Sequence, residues 1–315
     1  MDLTLDNLPE DVLTVIFLNL TMGDAISLYK IRNKNLRSAI QKTKFDFFHQ
    51  FMPKLITVTQ FRSIFKNAIG IKIDLFNGTQ TFTDSDLECI IPKNLYGEPI
   101  KGIRVFLDHC NTITDNQLKY FKGVHTLELF GCKTNISDIG WEYLRGIHTL
   151  KIANSNITDS GLQYLRGIHT LNIQYCANIT DTGLQYLRGI RALNIDSCDN
   201  ITDTGLQYLS GIHILNINNC LKITNDGLKY INGIHSLSIL NNSHFCNFNI
   251  TDDGLKHLGD NIHTLKISQC DITDDGLKYL GTLPNLMHLN YWGCTNTTSI
   301  GRMYTKNIKH INKFF

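Results

Sequence analysis

Gly167-Ile-His-Thr-Leu-Asn-Ile173 returns as Gly189-Ile-Arg-Ala-Leu-Asn-Ile195 and again as Gly211-Ile-His-Ile-Leu-Asn-Ile217. A motif copied about every 22 residues belongs to a solenoid, because one such unit cannot bury its apolar face alone and must stack on its neighbours. The core of such a chain is linear, and its main product is an extended surface.

Between these copies lies a second block, Ile179-Thr-Asp-Thr-Gly-Leu-Gln-Tyr-Leu187, repeated from Ile201 to Leu209. In the first block Leu171 and Ile173 alternate with Thr170, Asn172 and Gln174. That alternation predicts a strand with the aliphatic pair inside and the polar set outside. In the second block Thr180 can cap a short helix, Asp181 suits its positive end, Leu184 and Leu187 point inward, and Gly189 closes it. Aligning units on the strand leucine gives ten rungs at Ile73, Val105, Leu127, Leu150, Leu171, Leu193, Leu215, Leu237, Leu265 and Leu289. Each rung is expected to bury four or five aliphatic side chains. Cys110, Cys132, Cys176, Cys198, Cys220, Cys270 and Cys294 recur in one register and read as small core residues rather than disulfide or zinc partners. The sequons at Asn156, Asn178, Asn200 and Asn249 each precede an Ile expected to be buried, so glycans there would hinder stacking.

Charge and motifs narrow the function. Lys and Arg number 30 against 28 Asp and Glu, a formal charge of +2, so no global field favours nucleic acid or an anionic membrane. The acidic N-terminus and the short apolar run from Val12 to Leu20 predict neither secretion nor a membrane span, and a cytoplasmic location, with the nucleus a second possibility, is expected. No phosphate loop, nucleophile elbow or His-Glu-x-x-His helix occurs, so no enzyme, catalytic residue or cofactor is expected. His125, His148, His169, His213, His235 and His263 form a column that could suggest a metal ladder, but Arg191 interrupts it and no carboxylates match its register. The column reads as a copied rim, and no metal is expected. Tyr164, Tyr186, Tyr208, Tyr230 and Tyr279 are assigned to packing on the helical side.

The stretch LRGIHTLNIQYCANITDTGLQYL, Leu165 to Leu187, matches the consensus of the cysteine-containing leucine-rich repeats. The chain resembles that family over about two thirds of its length. The resemblance implies an α/β fold: a right-handed horseshoe of about ten parallel strands with outer helices, whose common role is to bind proteins.

Residues 3 to 40 lack the repeat. Pro9 suits a helix start, Val12, Leu13, Ile16, Phe17 and Leu20 recur at three and four, and Ala25, Leu28 and Ile31 suggest a second helix after the Met22-Gly23 turn. With the Leu8-Pro9 opening, Asp11, and a second helix opened by Asp24, this stretch resembles an F-box. It has Lys34-Asn35-Leu36-Arg37 where that family often has a basic residue and then Trp. The resemblance implies that Leu8, Pro9, Val12, Leu13, Ile16, Leu20, Ala25, Leu28 and Ile31 dock a Skp-family adaptor and, through it, a cullin. The expected division is an F-box-like module at 3–40, a helical join or cap at 41–69 centred on Phe45 to Phe51, the solenoid at 70–297, and a C-terminal cap at 298–315.

Two interruptions break the period, Asn77 to Gly102 and Ser243 to Asn249. The central rungs present a polar floor at Asn172, Asn194, Asn216, Gln174, Asp196 and Asn218, whereas Leu240 and Trp292 occupy outward positions near the end. With His244, Phe245 and Phe248 from the second interruption they form the expected substrate-binding set, since exposed aromatics beside a loop anchor protein partners. The leading expectation is a non-catalytic substrate receptor of an SCF-type ubiquitin ligase. The alternative is a leucine-rich-repeat scaffold or inhibitor that recruits no ligase.

Overall fold

The computed structural model describes residues 8–31, 33–51, 57–74, 84–91, 101–108, 113–130, 136–241 and 249–312. The chain divides into two compact units, Met1–Asn135 with Tyr143–Ile147, and Ile136–Glu142 with His148–Phe315.

The first unit opens with helices α1 (Glu10–Phe17), α2 (Met22–Lys30) and α3 (Lys34–Lys42). Thr21 caps α2 through a reciprocal pair: its Oγ accepts from the Asp24 N–H at 3.2 Å and its own N–H donates to Asp24 Oδ2 at 3.3 Å. The helix thus begins at Met22, and Asp24 is its third residue rather than its opener. Asn33 Oδ1 caps α3 by accepting from Asn35 and Leu36 N–H. Leu13, Phe17, Ala25, Ile26, Leu36, Ala39 and Ile40 form the buried centre of this helical module. Strand β1 (Asp46–Phe51) and helix α4 (Val58–Ile64) follow, and the rings of Phe45, Phe47, Phe61 and Phe65 pack with centroids 5.0 to 6.1 Å apart. The stretch expected to join or cap the array therefore holds a strand of its own.

Strand β2 (Gly70–Asp74), helix α5 (Asp84–Ile90), strand β3 (Arg104–Asp108), helix α6 (Asp115–Leu118) and strand β4 (Thr126–Phe130) complete this unit, with β1 to β4 paired parallel in chain order. Ile71, not Ile73, pairs with Val105 and through it with Leu127. Both isoleucines are buried. A slip of two residues keeps the same face inward, so alternation alone left the register of that rung open. Arg62 is buried and donates to the carbonyls of Cys89, Ala68 and Ile90. Burial lowers its pKa to about 10, which leaves it charged at neutral pH.

The second unit is a ladder of β5 (Thr149–Ile152), β6 (Thr170–Asn172), β7 (Ala192–Asn194), β8 (Ile214–Asn216), β9 (Ser236–Leu240), β10 (Thr264–Ser268), β11 (His288–Trp292) and β12 (His310–Asn312), each paired parallel to the next. Their returns carry α7 (Asp159–Leu162), α8 (Asp181–Leu184), α9 (Asp203–Leu206), α10 (Asn225–Leu228), α11 (Asp252–Leu255), α12 (Asp274–Leu280) and α13 (Ser299–Tyr304). The described residues thus hold twelve strands where ten strand leucines were expected, because β1 and β12 lie in stretches read as caps. Ile311 of β12 pairs with Leu289. In one repeat Ile168, Leu171, Ile173, Cys176, Ile179, Leu184 and Leu187 are each at most 3% exposed. Six aliphatic side chains are buried in this repeat, more than the four or five expected, because Ile168 before the strand also turns inward.

Successive repeats are clamped by the Thr-Asp-x-Gly-Leu block. Thr180 caps α8 by accepting from the Thr182 N–H, while its own N–H and hydroxyl donate to Asp159 of the preceding repeat at 2.8 and 2.6 Å. The same pair joins Thr202 to Asp181, Thr224 to Asp203, Thr273 to Asp252 and Thr298 to Asp274. Asn225 takes the acid's place toward Thr251. The glycine of the block makes room for this bridge, since a Cβ on Gly205 would lie 2.5 Å from Asp181 Oδ1. The acid first read as a helix-end charge is therefore an inter-repeat ligand as well.

Candidate protein-binding site

The strand pleat sets three outward columns along the second unit. Asn172, Asn194 and Asn216 occupy the middle column in direct register. Their Oδ1 atoms accept from the N–H two residues on, at Gln174, Asp196 and Asn218, at 2.9 to 3.1 Å. The next residue turns the chain with positive φ, as at Tyr175, Ser197 and Asn219. These asparagines serve the backbone first, and part of their polarity is thereby used within the protein.

The third column carries Leu240, Ser268 and Trp292 in register on β9, β10 and β11. Leu240 is half-buried, Trp292 is 38% exposed, and Ser268 between them is buried and accepts from Asn241 N–H at 3.0 Å. Two strand spacings, about 10 Å, separate the Leu from the Trp. Of the remaining expected substrate-binding residues, His244, Phe245 and Phe248 lie outside the described residues.

Beside this column is a shallow depression of about 280 Å³ on β10, β11 and β12, lined by Thr264, Leu265, Lys266, His288, Leu289, Asn290, His310 and Asn312. The imidazoles of His288 and His310 stack at 4.6 Å with planes 7° apart. Sequence reasoning missed this cluster because it followed the copied histidine column two residues before the strand leucine, and these two sit one residue before it. A signal was present: no Asp or Glu follows Asp275, whereas Lys278, Arg302, Lys306, Lys309 and Lys313 do.

The copied histidines stack in part, His148 on His169 at 4.3 Å and His235 on His263 at 4.0 Å. Loss of solvent, then the neighbouring imidazoles and Arg191, lower the pKa values of His169 and His235. The described residues contain no group of three His, Cys, Asp or Glu able to hold a metal. Burial raises the Cys176 thiol to about 11 and the Cys220 and Cys270 thiols to about 12, and Cys220 Sγ donates to the Ile195 carbonyl at 3.1 Å. These are neutral core thiols. Arg166 and Arg188 lie over the rings of Tyr186 and Tyr208 on the following repeat, 4.8 and 5.0 Å from the centroids.

On the first unit, Leu13 and Ala25, both expected on a docking face, are 1% and 0% exposed and pack in the module's own core. Leu36 is buried there too. Leu8, Ile16, Leu20 and Leu28 are half-buried, Pro9 is exposed, and Val12 and Ile31 are 40% and 49% exposed. Val15 at 63% and Leu18 at 57% join them. Val12, Val15 and Leu18 recur every third residue and form one apolar strip on α1, opposite the buried Leu13 and Phe17.

Fold and repeat chemistry together define a leucine-rich-repeat solenoid. The leucine rich repeat family profile matches residues 168–187, 190–210 and 261–281. Among solved structures, a chain of the Rad7 and Elc1 complex in yeast is similar with a TM-score of 0.55 at 14% identity, over 96% of this chain and 92% of that one. Internalin C2 of Listeria monocytogenes is similar at 21% identity with a TM-score of 0.39, over 75% of this chain and 86% of that one. No curated protein matches. No described helix is long and apolar enough to cross a membrane.

Proposed function

We propose that this protein is a non-catalytic substrate receptor of an SCF-type ubiquitin ligase, its helical module docking a Skp-family adaptor and its repeats holding a protein substrate. The observation that carries the reading is the exposed strip Val12, Val15 and Leu18 with Ile31, apolar side chains left in water while the module's own core is complete without them. The likeness to a chain of the Rad7 and Elc1 complex over nearly the whole length agrees with it. The adaptor would in turn bring a cullin, and the working compartment would be the cytoplasm or nucleus. Substrate would meet the end of the repeats around Leu240 and Trp292, and His244, Phe245 and Phe248 are proposed as further contacts.

Two experiments test the parts. Purified full-length protein should co-elute with a Skp-family adaptor in size-exclusion chromatography, and Val12→Asp with Val15→Asp should abolish co-elution while leaving the circular dichroism unchanged. Absence of a wild-type complex would favour a scaffold without ligase recruitment. Once a substrate is in hand, Trp292→Ala should lose about 2 kcal/mol of affinity, the size of a hot-spot effect. Equal losses at Asn172, Asn194 and Asn216 would move the site to the floor.

A further inference from the structure

We infer that the depression on β10 to β12 is an oxyanion subsite that takes an acidic side chain, carboxylate or phosphate, from the protein partner. The inference deepens the proposed function by naming the chemistry of its substrate end, and it rests on that reading only for calling the ligand a substrate.

The lining is rich in donors and holds no carboxylate. Register places Lys266, Asn290 and Asn312 side by side, and Thr264, His288 and His310 beside one another two residues earlier. Adjacent strands are about 4.8 Å apart and alternate residues about 7 Å, so the side chains of both rows can reach one small anion. Lys266 is exposed and brings a full charge with three N–H donors. The Oδ1 of Asn290 already accepts from the Trp292 N–H at 3.3 Å, which leaves its amide N–H groups for a ligand. Imidazole and hydroxyl groups add donors on the other row, and charge-assisted bonds of this type are the stronger ones.

The charge of the C-terminal stretch of the sequence points the same way. The sequence beyond Asp275 carries Lys278, Arg302, Lys306, Lys309 and Lys313 and no acid, so an anionic group approaching this end meets no carboxylate from that stretch. The second interruption, Ser243 to Asn249, contributes none either. Trp292 stands on the same face two residues beyond Asn290 and supplies an apolar neighbour for the residue next to the acid. A partner segment with an acidic residue beside a large apolar one matches both features.

Two fluorescein-labelled probes separate the sources: a peptide with three glutamates beside a leucine, and the same peptide with serines for glutamates and one of them phosphorylated. Anisotropy with the full-length protein should show saturable binding of at least one of them, and Lys266→Ala should weaken it at least tenfold. Lys309→Ala, which removes the same charge outside the depression, should change it less than twofold. Preference for the first peptide assigns carboxylate, and preference for the second assigns phosphate. Equal losses at Lys266 and Lys309, or no binding of either peptide above an all-serine control, would overturn the subsite. Neither probe needs the adaptor, so failure here leaves adaptor docking standing, and failure to bind adaptor leaves the subsite standing.

Discussion

The block Ile-Thr-Asp-x-Gly-Leu assigns each residue a separate task. Ile201 is buried, the Thr202 hydroxyl donates back to Asp181, Asp203 accepts from Thr224 of the next repeat, and Gly205 leaves space for Asp181. Asp181→Ala should therefore destabilise the protein by about 2 kcal/mol, since it strands the half-buried N–H and hydroxyl of Thr202. Asp181→Asn should cost less, because Asn225 performs the same task toward Thr251. Gly205→Ala should cost as much as the Asp181→Ala loss and should cost less in an Asp181→Ala background, where the carboxylate it strikes is gone and Leu184 Cδ1 at 3.0 Å is the remaining close neighbour. Urea denaturation of the two single variants and the double variant checks the cycle, and simple additivity would contradict the clamp.

At the scale of elements, strands and returns of the central repeats were legible because the period is regular and the apolar positions alternate cleanly. The inward-facing Leu171, Ile173, Cys176, Leu184 and Leu187 are buried as read. The inter-repeat use of the acid was not legible, since its partner lies 21 residues away and a helix-end charge explains the same residue locally. On α1 the periodicity was ambiguous for another reason: Val12, Leu13, Val15, Ile16, Phe17 and Leu18 are all apolar, so nothing in the string says which strip turns inward. Packing put Leu13 and Phe17 inside and left Val15 and Leu18 out. The histidine column yields a pH prediction. His169 and His235 have folded-state values below the ordinary 6.5, so the unfolded chain takes protons first as the solution is acidified. Their contribution is complete above about pH 6.5 and is lost as pH falls through the lowered values. His148 and Arg191 face His169, and His213, His263 and Arg191 face His235. Melting temperatures at pH 7.5 and 5.5 should differ more in the wild type than in a His235→Gln, His263→Gln variant, and an equal drop in both would remove the column from the account.

At the scale of the molecule, the repeats offer a mostly self-satisfied polar face whose exceptions gather near its end: Leu240, Trp292 and the donor-lined depression on β10 to β12. The helical module offers a different kind of surface, an exposed apolar strip along α1 and its C-terminal end. In the proposed receptor reading, the first surface would hold the target and the second would hold the adaptor. The most direct measurement is hydrogen–deuterium exchange on the full-length protein with and without a Skp-family adaptor. The account predicts added protection confined to residues 8–31, with Val12→Asp, Val15→Asp abolishing it, and unchanged exchange across β5 to β12. Adaptor-dependent protection on the repeats, or none anywhere at adaptor concentrations of tens of micromolar (~8 kcal/mol at 1 μM being the scale of a functional complex), would contradict it.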